Sequence, residues 1–204
     1  MVIYHMQRLL SGVALLIAAS GTAWSSVVNI SIDTTPLQGV TGSIAFDFID
    51  GDGLVNNSVT VRNFSTDAMT ATGSPTGDVT GSLQPGPVTL ADSSFFNEWL
   101  QDLTYGSFIN FQLESTANGP FTPAPDALSV LLLDSALAPY ATSDPFGTDA
   151  LLTLEIDSTS PVVQLFTSAA ASASMTAVPA PAAAWLLLSG LAALGGMTRW
   201  RPAP

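Results

Sequence analysis

An all-β fold, an antiparallel sandwich of jelly-roll type, is what the 204-residue sequence predicts, and three observations predict it. Apolar and polar residues alternate with period two in several short runs, the pattern of half-buried strands. Val, Ile, Phe and Thr fill those runs, whereas Gly, Pro, Asp and Ser fill the gaps between them. The runs are short and never give way to a long helical period, as in sandwiches and barrels.

Taken in order, Val27–Ile32 opens the pattern. Ile44, Phe46 and Phe48 then share one face, with Asp47 on the other. Ser58–Arg62 repeats the alternation after the turn Asp50-Gly51-Asp52-Gly53. The Gly/Ser/Thr-rich stretch 71–86 reads as a long loop or a pair of short edge pieces. Phe95, Phe96, Trp99, Leu100 and Leu103 fit helical spacing behind Ser93-Ser94, but they also fit a bent strand, the reading in keeping with their surroundings. Phe108–Leu113, Ala127–Leu133, Leu151–Ile156 and Val162–Phe166 complete the set, with prolines at 120, 123, 125, 139 and 145 breaking the chain between them.

Both flanks read differently. Residues 1–25 have the form of a secretory signal peptide: Arg8 near the start, an apolar run Leu9–Ala19, and small residues at Gly21-Thr22-Ala23 or Ala23-Trp24-Ser25 for cleavage. The mature chain is expected to start near Ser26, with the β domain over 26–166. Residues 167–177, almost all Ser, Ala and Thr, read as an uncharged tether. Val178-Pro179-Ala180-Pro181 follows as a stiff, extended lead-in. From Ala182 to Met197 no residue is charged. A helix over 182–198 would span a bilayer with slight shortfall, about 24 Å for its uncharged part against a hydrocarbon core of about 30 Å. Trp185, Trp200, Arg199 and Arg201 are placed to make up the difference at the interfaces. The two arginines act as a membrane stop and put the C-terminus in the cytoplasm.

That tail resembles the C-terminal sorting signal of PEP-CTERM proteins, which Gram-negative bacteria export and hand to an exosortase. Val178, Pro179, Pro181, the run from Ala182 to Leu191, Arg199 and Arg201 carry the resemblance. Ala180 stands where the family usually has Glu, and Pro202-Ala203-Pro204 follows the arginines where most members stop. Residues 26–166 resemble the exported β-rich domains found before such signals, through Asp92–Glu98, Phe108–Leu113, Pro125–Ser129 and Leu132–Ser135. The resemblance implies an exosortase as partner, transient anchoring in the inner membrane, and delivery to the cell surface or beyond, among exopolysaccharide and biofilm.

Composition narrows the chemistry. All 16 acidic residues lie in 26–177 against the single base Arg62, so 16 − 1 leaves a net charge of −15 there. The chain has no cysteine, and its one histidine, His5, falls in the signal peptide. A Ser-His-Asp centre, a His/Cys zinc site, a Schiff-base lysine and a disulfide framework are thereby excluded from the domain. So acidic a surface repels polyphosphate, which excludes nucleic acid as a partner. Asp126, Asp134, Glu155 and Asp157 are the carboxylates open to glycosidase chemistry, but no spacing pairs them. No enzyme and no obligatory cofactor is expected. Calcium is the ion that Asp47, Asp50 and Asp52 could take, against the plainer reading of a solvated turn. Trp99, Tyr105 and Tyr140, near Gln101, Asp102 and Asp144, are the aromatics that a carbohydrate-binding module would offer a sugar, against the plainer reading of core.

Overall fold

The computed structural model describes residues 26–116, 124–156 and 161–178. These residues form thirteen strands, and every pairing between them is antiparallel. In chain order the strands are β1 (Ser26–Asp33), β2 (Thr41–Ile49), β3 (Ser58–Thr66), β4 (Met69–Thr70), β5 (Ser74–Thr76), β6 (Val79–Gly81) and β7 (Val88–Ala91). They continue as β8 (Phe96–Thr104), β9 (Phe108–Ser115), β10 (Asp126–Asp134), β11 (Leu152–Ile156), β12 (Val162–Leu165) and β13 (Ser172–Ala177). One sheet runs β13-β1-β9-β3-β7-β6, and the other runs β12-β11-β10-β2-β8-β4, with β5 also on β8. Among the described residues the helical element is a single 3-10 turn, Thr35–Leu37, and no helix is long and apolar enough to cross a membrane.

Period-two alternation explains how the sheets close on each other. Val28, Ile30 and Ile32 of β1, with Ile109, Phe111 and Leu113 of β9, supply one side of the core. Ile44, Phe46 and Phe48 of β2, with Leu128, Val130 and Leu132 of β10, supply the other, and all belong to one cluster. Phe46 meets Phe111 edge to face, ring centroids 5.2 Å apart, the arrangement that ring quadrupoles favour. Residues 96–104 take the strand rather than the helix. Residues 71–86 resolve into the short pieces β5 and β6.

Two expectations are corrected. The run 167–177 is not a free tether: Ser168 bridges to Thr142, and β13 pairs with β1 from Val28↔Ala177 to Asp33↔Ser172. The amide of Val178 then donates to the carbonyl of Val27 at 3.1 Å. An edge strand is held by backbone bonds and needs no apolar pattern of its own, and Ala171 and Ala173 need only short side chains to touch the core. The folded unit therefore extends past residue 166 to Val178. The signal-peptide segment, Pro179, Ala180, Pro181, the apolar run to Met197, Arg199 and Arg201 lie outside the described residues.

Candidate functional site

The acidic turn between β2 and β3 is built by its own carboxylates. Asp50 accepts from the Gly53 amide three residues on at 2.6 Å, and Asp52 accepts from the Leu54 amide at 2.8 Å in an Asx turn. Asp126, fully buried at the start of β10, accepts from the Gly51 amide at 2.8 Å and from Asn57 Nδ2 at 2.5 Å. Asp92 takes the amides of Asn56 and Asn57 at 3.0 and 2.6 Å. Burial pushes the Asp126 carboxyl above its ordinary range, against the Asn57 and Gly51 hydrogen bonds that lower it.

Asp50, Asp52 and Asp126 can each place one oxygen within 4.8 Å of the others. Calcium takes six to eight oxygens, as a rule, and these carboxylates already hold the loop backbone. The arrangement is that of a loop clasp. Asp47 is not part of it, because it sits within β2 on the face away from the core, half-buried beside Glu98 and Ser129 rather than in the turn. Asp126, which belongs to the group, was invisible as a neighbour because 74 residues separate it from Asp52.

The carbohydrate candidates are corrected too. Trp99 is 4 % exposed and Tyr105 is 1 % exposed, so neither offers a ring face to a sugar. Tyr140 is half-buried and packs edge-on against Tyr105 at 6.4 Å. Of the carboxylates considered for glycosidase chemistry, Asp126 and Asp134 stand at opposite ends of β10, about 26 Å apart at 3.3 Å per residue. Glu155 is on β11 beside Ala127, and Asp157 lies outside the described residues.

A cleft of about 290 Å³, lined by uncharged side chains both polar and apolar, opens on the outer face of the β1 sheet. Asn29, Ser31, Asn63, Asn110, Gln112 and Thr176 are among the residues that line it. Side-chain amides form a relay across four strands: Asn63 Nδ2 donates to Gln112 Oε1 at 2.7 Å, and Gln112 Nε2 to Asn29 Oδ1 at 2.8 Å. Asn29 Nδ2 reaches Thr176 Oγ1 at 3.5 Å. Asn63 has φ 54 and sits where the β3–β9 register slips between Arg62 and Ser65. That bulge turns its amide into the row, at a local backbone cost that Asn tolerates better than most residues. Within the row Asn29 and Gln112 each spend about half their hydrogen-bonding capacity and Asn63 about a quarter, which leaves donors and acceptors together for a ligand. No charged residue lines the cleft, and beyond it Arg62 pairs with Glu114. The signal in the sequence was the choice of amides at the outward positions 29, 110 and 112.

On the opposite sheet Asp47 lies beside Glu98 of β8 and Ser129 of β10. Its Oδ1 is buried without a hydrogen-bond partner among the described residues. Burial first, then the charge of Glu98, pushes the carboxyl up to about 7. The folded value exceeds the unfolded one of about 3.9, so ionisation opposes folding as pH rises from about 4, and the full penalty stands above about 7. Asp47→Asn is expected to stabilise the protein at pH 8 by about 1–3 kcal/mol after allowance for solvent screening, and to change little at pH 3. Urea melts of both proteins at the two pH values measure it; equal gains at both would refute the assignment.

No family model matches the chain, and neither a curated protein nor a solved structure does.

Proposed function

We propose that the chain is an exported, non-enzymatic surface or extracellular-matrix protein, sorted and processed by an exosortase and associated with exopolysaccharide. The observation that carries this is the sequence of features at the tail: Val178-Pro179-Ala180-Pro181, an uncharged apolar run to Met197, then Arg199 and Arg201. The apolar run anchors the chain in the inner membrane, and the arginines resist translocation because a cation in hydrocarbon is costly. The motif residues are substrate for the processing enzyme. Strand order β1-β9-β3-β7 opposite β2-β8-β4 supports the jelly-roll reading of the domain ahead of them.

Because β13 ends at Ala177 and Val178 is bonded to Val27, the motif starts at the edge of the folded domain. Processing then calls for peeling of β13, an edge strand of small, mostly exposed residues that gives way at modest cost. The test is fractionation of cells that carry an exosortase. The parent chain is expected at the outer surface. Arg199→Glu with Arg201→Glu is expected to lose retention at the inner membrane before processing; retention and processing like the parent's would refute the stop role.

The amide row favours a second role in the same protein, as a binding module for neutral polysaccharide. Sugar hydroxyls donate and accept at once, as amides do, and the domain's negative charge disfavours acidic polymers. Calcium assistance is tested alongside. In affinity gels with dextran, laminarin or galactomannan, the protein is expected to be retarded by at least one of them, equally in calcium and in chelator. Gln112→Leu is expected to weaken retardation about tenfold, the loss of one to two hydrogen bonds. Thr80→Val, on the same sheet outside the cleft, should leave it unchanged. Retardation by alginate alone, or insensitivity to Gln112→Leu, would contradict this role.

A further inference from the structure

We propose that one end of the sandwich rests on the lipid surface, with Leu54, Val55 and Phe95 set into the boundary between headgroups and acyl chains. The inference rests on the reading of 182–197 as membrane-held and goes beyond it, to how the folded domain sits.

Strand register defines that end. Ser26 opens β1 opposite Ser115, Ser115 pairs with Val59, and Val28 pairs with Ala177 at the close of β13. The segments 1–25 and 179–204 therefore continue from neighbouring strands at the same end. The loop 50–57, which leads into β3, and the loop 92–95, which follows β7, lie there as well, since Ser58 pairs with Ala91. The Asp50 amide joins the two loops by donating to the Phe95 carbonyl at 3.0 Å.

Polar residues at loop tips are the norm, and adjoining exposed apolar ones mark an interaction surface. Here Leu54 is 56 % exposed, Val55 75 % and Phe95 72 %, with Ile49 and Phe96 exposed beside them. Asp92 and Asp126 at this end are buried, and Asp50 and Asp52 are half-buried. Asp50, Asp52, Asp92 and Asp126 accept backbone amides of residues 51–57, so the carboxylates hold the loop while the apolar tips face out. At the far end Leu137 and Phe146 are exposed too, but neither flanking segment continues from there. Lipid is the occupant that the near end meets, because the apolar run begins within a few residues of Val178. Short reach sets the geometry: Val178 is still bonded to the domain, so the membrane that takes Ala182 onward lies within about 14 Å of it at the chain's full extension.

The chain has no cysteine, which permits single reporters. Val55→Cys, Phe95→Cys, Phe146→Cys and Ala184→Cys are made separately in the full chain, labelled with NBD and reconstituted in phosphatidylethanolamine–phosphatidylglycerol vesicles. Shallow doxyl-labelled lipid is expected to quench the labels at 55, 95 and 184 and to spare the label at 146. Quenching at 184 with 55 and 95 as silent as 146 overturns the docking end while leaving the anchor intact. Silence at 184 overturns the anchor itself, and the docking end with it.

Discussion

Phe46→Ala is expected to remove about 3–5 kcal/mol of stability, a large share of the roughly 5–15 kcal/mol that a domain of this size has. Phe46 is fully buried at the middle of β2, between Val130 of β10 and Trp99 of β8 in register. Its ring contacts Phe111 from the facing sheet. Truncation loses the transfer free energy of the ring and leaves a cavity between two sheets whose backbones are fixed by hydrogen bonds on both sides, so collapse is limited. Phe46→Leu should cost less, since most of the volume stays. Phe95→Ala, on an exposed tip, should fall within about 0.5 kcal/mol of the parent. Denaturant midpoints of the three variants separate these outcomes. A loss near zero for Phe46→Ala would mean that the sheets do not pack as described.

Tyr105→Ala is expected to cost a similar amount, about 3–5 kcal/mol, for a different reason. The Tyr105 hydroxyl reaches the Ser43 carbonyl at 2.6 Å and the Leu133 carbonyl at 3.0 Å, and accepts from the Leu133 amide at 3.1 Å. It stitches the end of β10 to β2 from inside the core, and burial pushes its ionisation above the ordinary tyrosine range. Gly42 makes room for the ring, since a Cβ there would lie 2.7 Å from Tyr105 Cε2 and 2.1 Å from the Leu133 carbonyl oxygen. Tyr105→Phe isolates the hydroxyl, and its removal should cost about 1–3 kcal/mol because buried backbone groups lose their partner. Equal stabilities for Tyr105→Phe and the parent would show the hydroxyl to be idle.

Alternation made the central strands legible. Ile44, Phe46 and Phe48 announced β2, and Phe108–Leu113 announced β9, which begins at the same residue and continues to Ser115. Residues 96–104 were ambiguous because aromatic spacing fits both periods; pairing with β2 on one side and β4 and β5 on the other decides for the strand. β13 was illegible because an edge strand of Ser, Ala and Thr carries no apolar pattern. Its existence depends on backbone groups of β1 that the sequence places more than a hundred residues away.

The site was less legible than the fold. Asp50 and Asp52 were visible as a pair, but Asp126 and Asp92 complete the clasp only through long-range pairing. Trp99 and Tyr105 look like sugar platforms in one dimension, but register turns Trp99 inward on β8 and the loop just after it buries Tyr105. The amide row needs three strand registers and a bulge at Asn63 to align, none of which local pattern encodes.

Intact-mass measurement of the protein recovered from the outer surface of exosortase-bearing cells tests the central claim most directly. The account predicts a chain that has lost both flanks, starting near Ser26 and ending at or near the 178–181 motif, with the apolar run and both arginines gone. A water-soluble species that retains Ala182–Pro204, never associated with lipid, would contradict it.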